Sequence, residues 1–282
     1  MRWGNLGRSS NLEDKRGGGG GRVVGIGGTA VLLVLSLIFG RNLFEDTGIT
    51  PSVVAGSGGG ALSAAESARE EPQVIFVSNV LDDAQQTWAK LLPTLGVQYS
   101  DAKLVIFRNA TATGCGTGQS AMGPFYCPTD QKVYIDLGFY NELQTKFGAK
   151  GDFAQAYVIA HEIGHHVQHL LGTDAQVRNA QQRDAGSANE YSVRLELQAD
   201  CYAGVWGKST EQRNILDPGD IDEGLNAAAS VGDDRIMQRQ GGRVNTDAFT
   251  HGSAAQRASW FRKGYDSGDP RACDTFASSG WR

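Results

Sequence analysis

This 282-residue chain has no excess of positive charge, no closely spaced cysteine pair and little histidine. Each lack removes a class of function. With 26 basic against 31 acidic residues the formal charge is −5. That argues against a nucleic-acid surface, because phosphate binding needs clustered positive charge. None of the four cysteines forms a C-x-x-C, so a cysteine-based zinc site is disfavoured. Histidine occurs five times, at positions 161, 165, 166, 169 and 251. No internal repeat is evident. A content of 40% hydrophobic and 20% charged residues does not suit a disordered, collagen-like or coiled-coil chain.

What is present is unevenly distributed. Residues 1–22 carry Arg2, Arg8, Lys15, Arg16 and Arg22 against Glu13 and Asp14, a net +3 that leaves −8 for the rest. Between Arg22 and Arg41 lie 18 uncharged residues, with Ala30–Phe39 almost wholly apolar. As a helix they span about 27 Å, just short of a ~30 Å hydrocarbon core. The favoured expectation is a single transmembrane anchor at 23–40. A cleaved signal peptide lacks a small-x-small site close after Phe39, and a buried core helix fits poorly beside a glycine run. The basic excess then puts residues 1–22 on the cytoplasmic side of that membrane as a head. A flexible Gly/Ala/Ser tether follows at 41–72, and an extracytoplasmic body at 73–282 is large enough for a substantial core.

All four cysteines follow the apolar segment, which puts them in an oxidising compartment. Of three possible pairings, Cys115–Cys127 with Cys201–Cys273 is favoured. The first closes a short loop, worth about 3 kcal/mol in the chain-entropy model. Four free thiols in a cytosolic protein is the alternative.

Hydrophobic periodicity predicts strands at Val74–Phe76, Lys103–Phe107 and Lys132–Asp136. Helices are expected at Asn79–Leu92, Phe139–Phe147, from Asp152 (paired with Gln155 as a cap) to Leu171, from Ser187 to a stop at Gly207, from Asp220 towards Met237, and over Ser253–Tyr265. Thr111–Gly118 reads as a plain glycine-rich loop. A few strands followed by many helices indicate an α+β fold rather than a parallel βαβ array.

The chemistry lies in His161-Glu162-Ile163-Gly164-His165. Residues i and i+4 share a helix face, so His161 and His165 can offer two imidazole nitrogens to one zinc ion. Glu162 lies beside them as a general base. A catalytic zinc site needs a third protein ligand. The metzincin continuation is absent, since positions 168 and 171 hold Gln168 and Leu171. Glu196, on the next capped helix, supplies it instead, and Asp200, at i+4 from Glu196, can hold the spare N–H of a ligating histidine. His251, Tyr191 and Tyr202 are candidate donors to the oxyanion, with His251 ranked first. His166 and His169 are expected in solvated or capping roles. The strand Lys132–Asp136 could pair with an extended peptide.

These motifs, with the opening Met1-Arg2-Trp3, the Asn11–Gly17 segment and the tail around Thr250–Ser253, Gln256-Arg257, Trp260-Phe261, Gly268-Asp269-Pro270 and Cys273–Phe276, resemble the bacterial family named "putative neutral zinc metallopeptidase". The resemblance covers nearly the whole chain. It implies a zincin-like, mostly helical metalloprotease domain with a small β-sheet, preceded by a single transmembrane helix. It also implies a gluzincin-type centre with His161, His165 and Glu196 on one Zn²⁺ and Glu162 catalytic. A peptide or protein substrate and a membrane, by this resemblance a bacterial inner or cell membrane, are the expected partners. The rival functions are a non-catalytic zinc-stabilised scaffold and a zinc hydrolase of non-peptide amides.

Overall fold

In Lys103–Phe107 (β4) and Lys132–Asp136 (β8) alternate side chains must face opposite sides of a sheet. Leu104, Ile106, Val133 and Ile135 enter the main helical core, while Val105, Phe107 and Tyr134 join a smaller cluster on the other side. The two strands pair in parallel. This computed structural model describes residues 1–3, 7–17, 25–26, 53–54 and 62–277. Leu12–Asp14 (β1) adds in parallel beside β4, and Phe125–Cys127 (β7) adds antiparallel beside β8, giving the order β1-β4-β8-β7.

Gly25–Ile26 (β2) pairs antiparallel with Val53–Val54 (β3). The segment expected as a loop, Thr111–Gly118, is a hairpin of Ala110–Thr113 (β5) and Gly116–Gln119 (β6) turning at Gly114-Cys115. The Cys115–Cys127 disulfide ties that hairpin to β7, and Cys115 packs on the smaller cluster.

The helices are Ala64–Leu91 (α1), Gly138–Thr145 (α2), Asp152–Leu171 (α3), Thr173–Arg183 (α4), Ala188–Gln212 (α5), Asp220–Ser230 (α6), Asp233–Arg239 (α7) and Ala254–Ser267 (α8). Val74–Phe76 is therefore helical, not a strand. Three apolar residues carry no period of their own. Within α1, however, Val74, Val77, Leu81, Ala84 and Trp88 fall at helical spacing and are all buried. A Ser63/Glu66 capping box starts this helix inside the segment 41–72 that was expected as a tether.

Gly207 does not end α5, because it lies inside the helix against the rings of Phe153 and Tyr265. The helix expected from Asp220 towards Met237 divides at Gly232. A Cβ there would stand 2.3 Å from the Ala254 nitrogen, so the chain approaches α8 too closely for any side chain. Helix α4 was not foreseen. It follows Gly172, whose left-handed backbone (φ 76°) closes α3. Asp152 opens α3 without a capping bond of its own, and Glu223 instead accepts from the Phe153 amide at 3.1 Å.

The membrane anchor and the single-pass localisation are corrected. No helix among the described residues is long and apolar enough to cross a membrane. Most of 23–40 lies outside the described residues, but Gly25–Ile26 within it is strand, paired with Val53–Val54. A single span would hold its two ends about 30 Å apart across the bilayer. Instead the N-terminal residues dock on the body. β1 is a strand of the main sheet, Lys15 N–H donates to the Ile106 carbonyl at 2.8 Å, and Lys132 Nζ donates to Glu13 at 2.8 Å. Arg16 is buried, bonded to Asp14 and Glu70, and the Met1 ammonium lies 2.6 Å from Asp152. Residues 1–17 and the body therefore share one side. Hydropathy reads only neighbours along the chain and cannot register this pairing across some 90 residues.

The Lys132 ammonium holds Glu13 below the ordinary carboxyl value, outweighing partial burial, and Arg16 does the same for Asp14. Depressed folded-state values mean that this stabilisation is fully present above the free-carboxyl values of 4.5 and 3.8, and is lost as the pH falls below them. Amide protection factors at Glu13 and Lys15 should accordingly collapse in acid before those of α3. Simultaneous loss with α3 would show that these carboxylates do not hold the docked segment.

Candidate metal centre

Helices α3 and α5 cross at Gly164. A Cβ at that position would lie 3.0 Å from the Ala199 carbonyl oxygen and 3.1 Å from its Cα, so any side chain there would crowd the α5 backbone and press the helices apart. The crossing places one turn of each helix face to face. His161 Nε2 lies 3.2 Å from Glu196 Oε2 and His165 Nε2 lies 3.4 Å from Glu196 Oε1. One donor atom from each of the three residues falls within 4.8 Å of the others. Two imidazole nitrogens and one carboxylate, converging near the surface of the body, form a donor set that fits zinc.

The other nitrogen of each histidine is already engaged. His161 Nδ1–H donates to Asp200 Oδ1 at 2.9 Å. His165 Nδ1–H donates to Gln168 Oε1 at 2.8 Å, and Gln168 in turn donates to the Leu195 carbonyl and Gln198. Both bonds fix the tautomer that leaves Nε2 with its lone pair facing the cluster. Gln168 had been noted only as a break in the metzincin pattern. Its place three residues after His165, on the same helix, was the available signal.

Asp200 has no exposed surface and gathers four partners: His161, the Tyr157 hydroxyl, and two nitrogens of Arg257 at 2.8 and 3.0 Å. Burial alone would raise its pKa, but Arg257 and His161 hold it below the usual carboxylate range. Burial opposes charge on His161 as well, yet Asp200, aided by Glu196, pushes that ring up to about 10. The same carboxylates that favour a proton there favour a dication. Glu196 is drawn well down against burial by His165 and His161. Glu162 goes the other way: burial raises it, only partly offset by the two histidines.

His251 approaches from the segment before α8. Asp233 Oδ2 accepts the backbone N–H groups of Thr250, His251 and Gly252 at 2.7, 2.7 and 3.1 Å, and Asp233 Oδ1 lies 3.1 Å from His251 Nδ1. Nε2 is thereby the free nitrogen of a partly exposed ring, and the charge of His251 is felt at Glu196. Asp233 was missed because an acidic residue at a helix start ordinarily reads as a cap. Tyr202 sits in the core, edge-on to Trp88 at 5.1 Å, and Tyr191 is half-buried on α5.

His166 is fully buried rather than solvated, between the Tyr126 hydroxyl and the Ser100 carbonyl. His169 pairs with Asp174 at 2.9 Å. Both disulfides of the favoured pairing are formed, and no described cysteine is free. A second acidic group brings together Asp152, Asp220 and Glu223, and the Met1 ammonium pairs with Asp152, Asp217 and Asp220 beside it.

A family model described as "Putative neutral zinc metallopeptidase" matches residues 1–276. The chain belongs to this family. It is 47% identical over 293 residues to the uncharacterized protein YpfJ of Escherichia coli (strain K12), covering 99% of this chain and all of that protein. It is also 45% identical over 218 residues to the uncharacterized protein Rv2575 of Mycobacterium tuberculosis (strain H37Rv), covering 73% and 71% of the two chains. No solved structure matches. Membership supports a zinc-dependent hydrolase acting on peptides, with zinc as its metal.

Gly164→Val should force α3 and α5 apart. Overpacking of this kind costs about 1–3 kcal/mol, and zinc affinity should fall while helix content by circular dichroism is kept. Unchanged zinc affinity in a folded variant would show that the crossing does not set the donor spacing.

Proposed function

We propose that the protein is a zinc-dependent endopeptidase of the gluzincin type, with one ion held by His161, His165 and Glu196. The observation that carries this reading is the convergence of those three donors with the buried Glu162 beside them on α3. When bound, zinc is a Lewis acid that acidifies water and polarises a carbonyl.

The chain's own residues supply the rest. Glu162 accepts the proton of the attacking water and delivers it to the leaving amine. Its carboxyl, raised by burial, is suited to both transfers. As the imidazolium, with its Nδ1–H on Asp233, His251 donates its Nε2–H to the carbonyl oxygen as charge develops there. Strand β8 is flanked on both sides by β4 and β7, so it cannot take a substrate strand. Among the described residues the sheet's edge strands are β1 and β7, and β7, bonded to α3 through Tyr126 and His166, is the edge tied to the ligand helix and the one that would pair with an extended peptide.

Glu162→Gln should retain zinc and lower kcat/KM on a peptide library by roughly 10²–10⁴-fold, the span of general acid–base catalysis. If wild-type protein carries zinc but cleaves no peptide, the non-catalytic scaffold is the correct reading. His251→Ala should lower kcat about 10²–10³-fold with KM little changed, as expected for a lost oxyanion donor. A loss confined to KM would assign His251 to substrate binding.

A further inference from the structure

We propose that Arg257 is a positioning residue of the metal centre, clamping Asp200 so that His161 presents Nε2 to the ion. This rests on the reading of His161, His165 and Glu196 as ligands. Arg257 comes from α8, far along the chain from both ligand motifs, and is only 4% exposed. Its Nε donates to Asp200 Oδ2 at 2.8 Å and its Nη2 to Asp200 Oδ1 at 3.0 Å. Nη2 also donates to the Tyr157 hydroxyl at 3.2 Å, and lies 3.5 Å from His161 Nδ1 and 3.8 Å from Glu196 Oε2. Nη1 donates to the Val231 carbonyl at 3.4 Å.

These contacts do more than neutralise a buried carboxylate. A carboxylate held by His161 alone could turn about its last bond and carry the imidazole with it. The planar two-pronged bond from Arg257 fixes the carboxylate plane, and so fixes the oxygen that His161 meets. Lysine, a point charge on a flexible stem, could balance the charge but not set the plane.

The backbone is built for this reach. A Cβ at Gly264 would stand 1.9 Å from the Cys201 carbonyl oxygen, and one at Gly204 would stand 2.0 Å from the Phe261 carbonyl oxygen. Gly204 lies one turn beyond Asp200, and Gly264 two turns beyond Arg257. The helices therefore touch backbone to backbone just beyond the paired side chains. Val231 is two residues before Asp233, the residue that orients His251. Arg257 thus joins the ligand helices to the segment bearing the proposed oxyanion donor.

The test uses the full chain with Co²⁺ in place of zinc, read by its visible d–d bands and by competition with a chromophoric chelator. Arg257→Lys and Arg257→Gln are compared with Arg213→Lys, which alters the Arg213–Asp83 pair away from the site. Wild type should take up one equivalent of Co²⁺. Both Arg257 variants should show altered d–d bands and about tenfold or greater loss of metal affinity. Arg213→Lys should keep the wild-type spectrum and affinity even where its melting temperature falls. If either folded Arg257 variant matches Arg213→Lys in spectrum and affinity, the positioning role is overturned. If wild type itself takes up no Co²⁺ or Zn²⁺, the ligand reading fails first and the proposal falls with it.

Discussion

A carboxylate with no exposed surface is the constraint around which this domain is arranged. Asp200 could not remain ionised at that depth without partners, because an unpaired buried charge costs several kcal/mol. Its partners come from two other helices, Tyr157 and His161 on α3 and Arg257 on α8, so three helices meet at this carboxylate on α5. All three axes must come close for the four side chains to meet. Gly204 and Gly264 stand opposite backbone atoms that a methyl group would strike, and at Gly164 a methyl group would crowd Ala199. Packing and electrostatics here are one requirement. The small residues allow the approach, and the ion pair stabilises what the approach has buried.

That arrangement separates what the sequence could disclose from what it could not. His161, Glu162 and His165 were legible because a helix repeats every 3.6 residues and four positions return a side chain to the same face. Glu196 and Asp200 were legible for the same reason. The disulfide pairing followed from spacing, since Cys115 and Cys127 close a short loop. Arg257 and Asp233 were not legible as parts of the site. Each meets its partner through tertiary contact alone, and each has an ordinary local role, as a polar helix residue and a helix-start acid. The strand order hid β8's lack of a free edge in the same way, because alternation along a strand says nothing about which neighbours it acquires.

The N-terminal region shows the opposite failure, in which a local signal was strong and tertiary structure outweighed it. Eighteen uncharged residues beside a basic segment satisfy the hydropathy pattern of a single span. The basic residues before them are not a free head. Arg8, Arg16 and Lys15 bond or pair with Glu71, Glu70, Asp14 and Glu13, and β1 is hydrogen-bonded into the main sheet. Their charge compensates acidic groups on the sheet and on α1. The +3 of residues 1–22 is thus partly complemented by the very body whose −8 it had been set against.

The two histidines proposed as ligands differ in where their support leads, and both routes end in the C-terminal part of the chain. From His161 it passes through Asp200 to Arg257 on α8. From His165 it passes through Gln168 to Gln198, whose amide donates to the Cys273 carbonyl at 3.0 Å. Cys273 is fixed by its disulfide to Cys201, next to Asp200 on α5. The tail therefore returns to the same turn of α5 twice, once by a covalent bond and once by an ion pair. The groups that meet the two rings, Asp200 and Gln168, stand on the two ligand helices, and the tail braces them from behind. Residues beyond 250 brace the candidate metal centre from behind, which gives a physical reason for a family match that runs to residue 276.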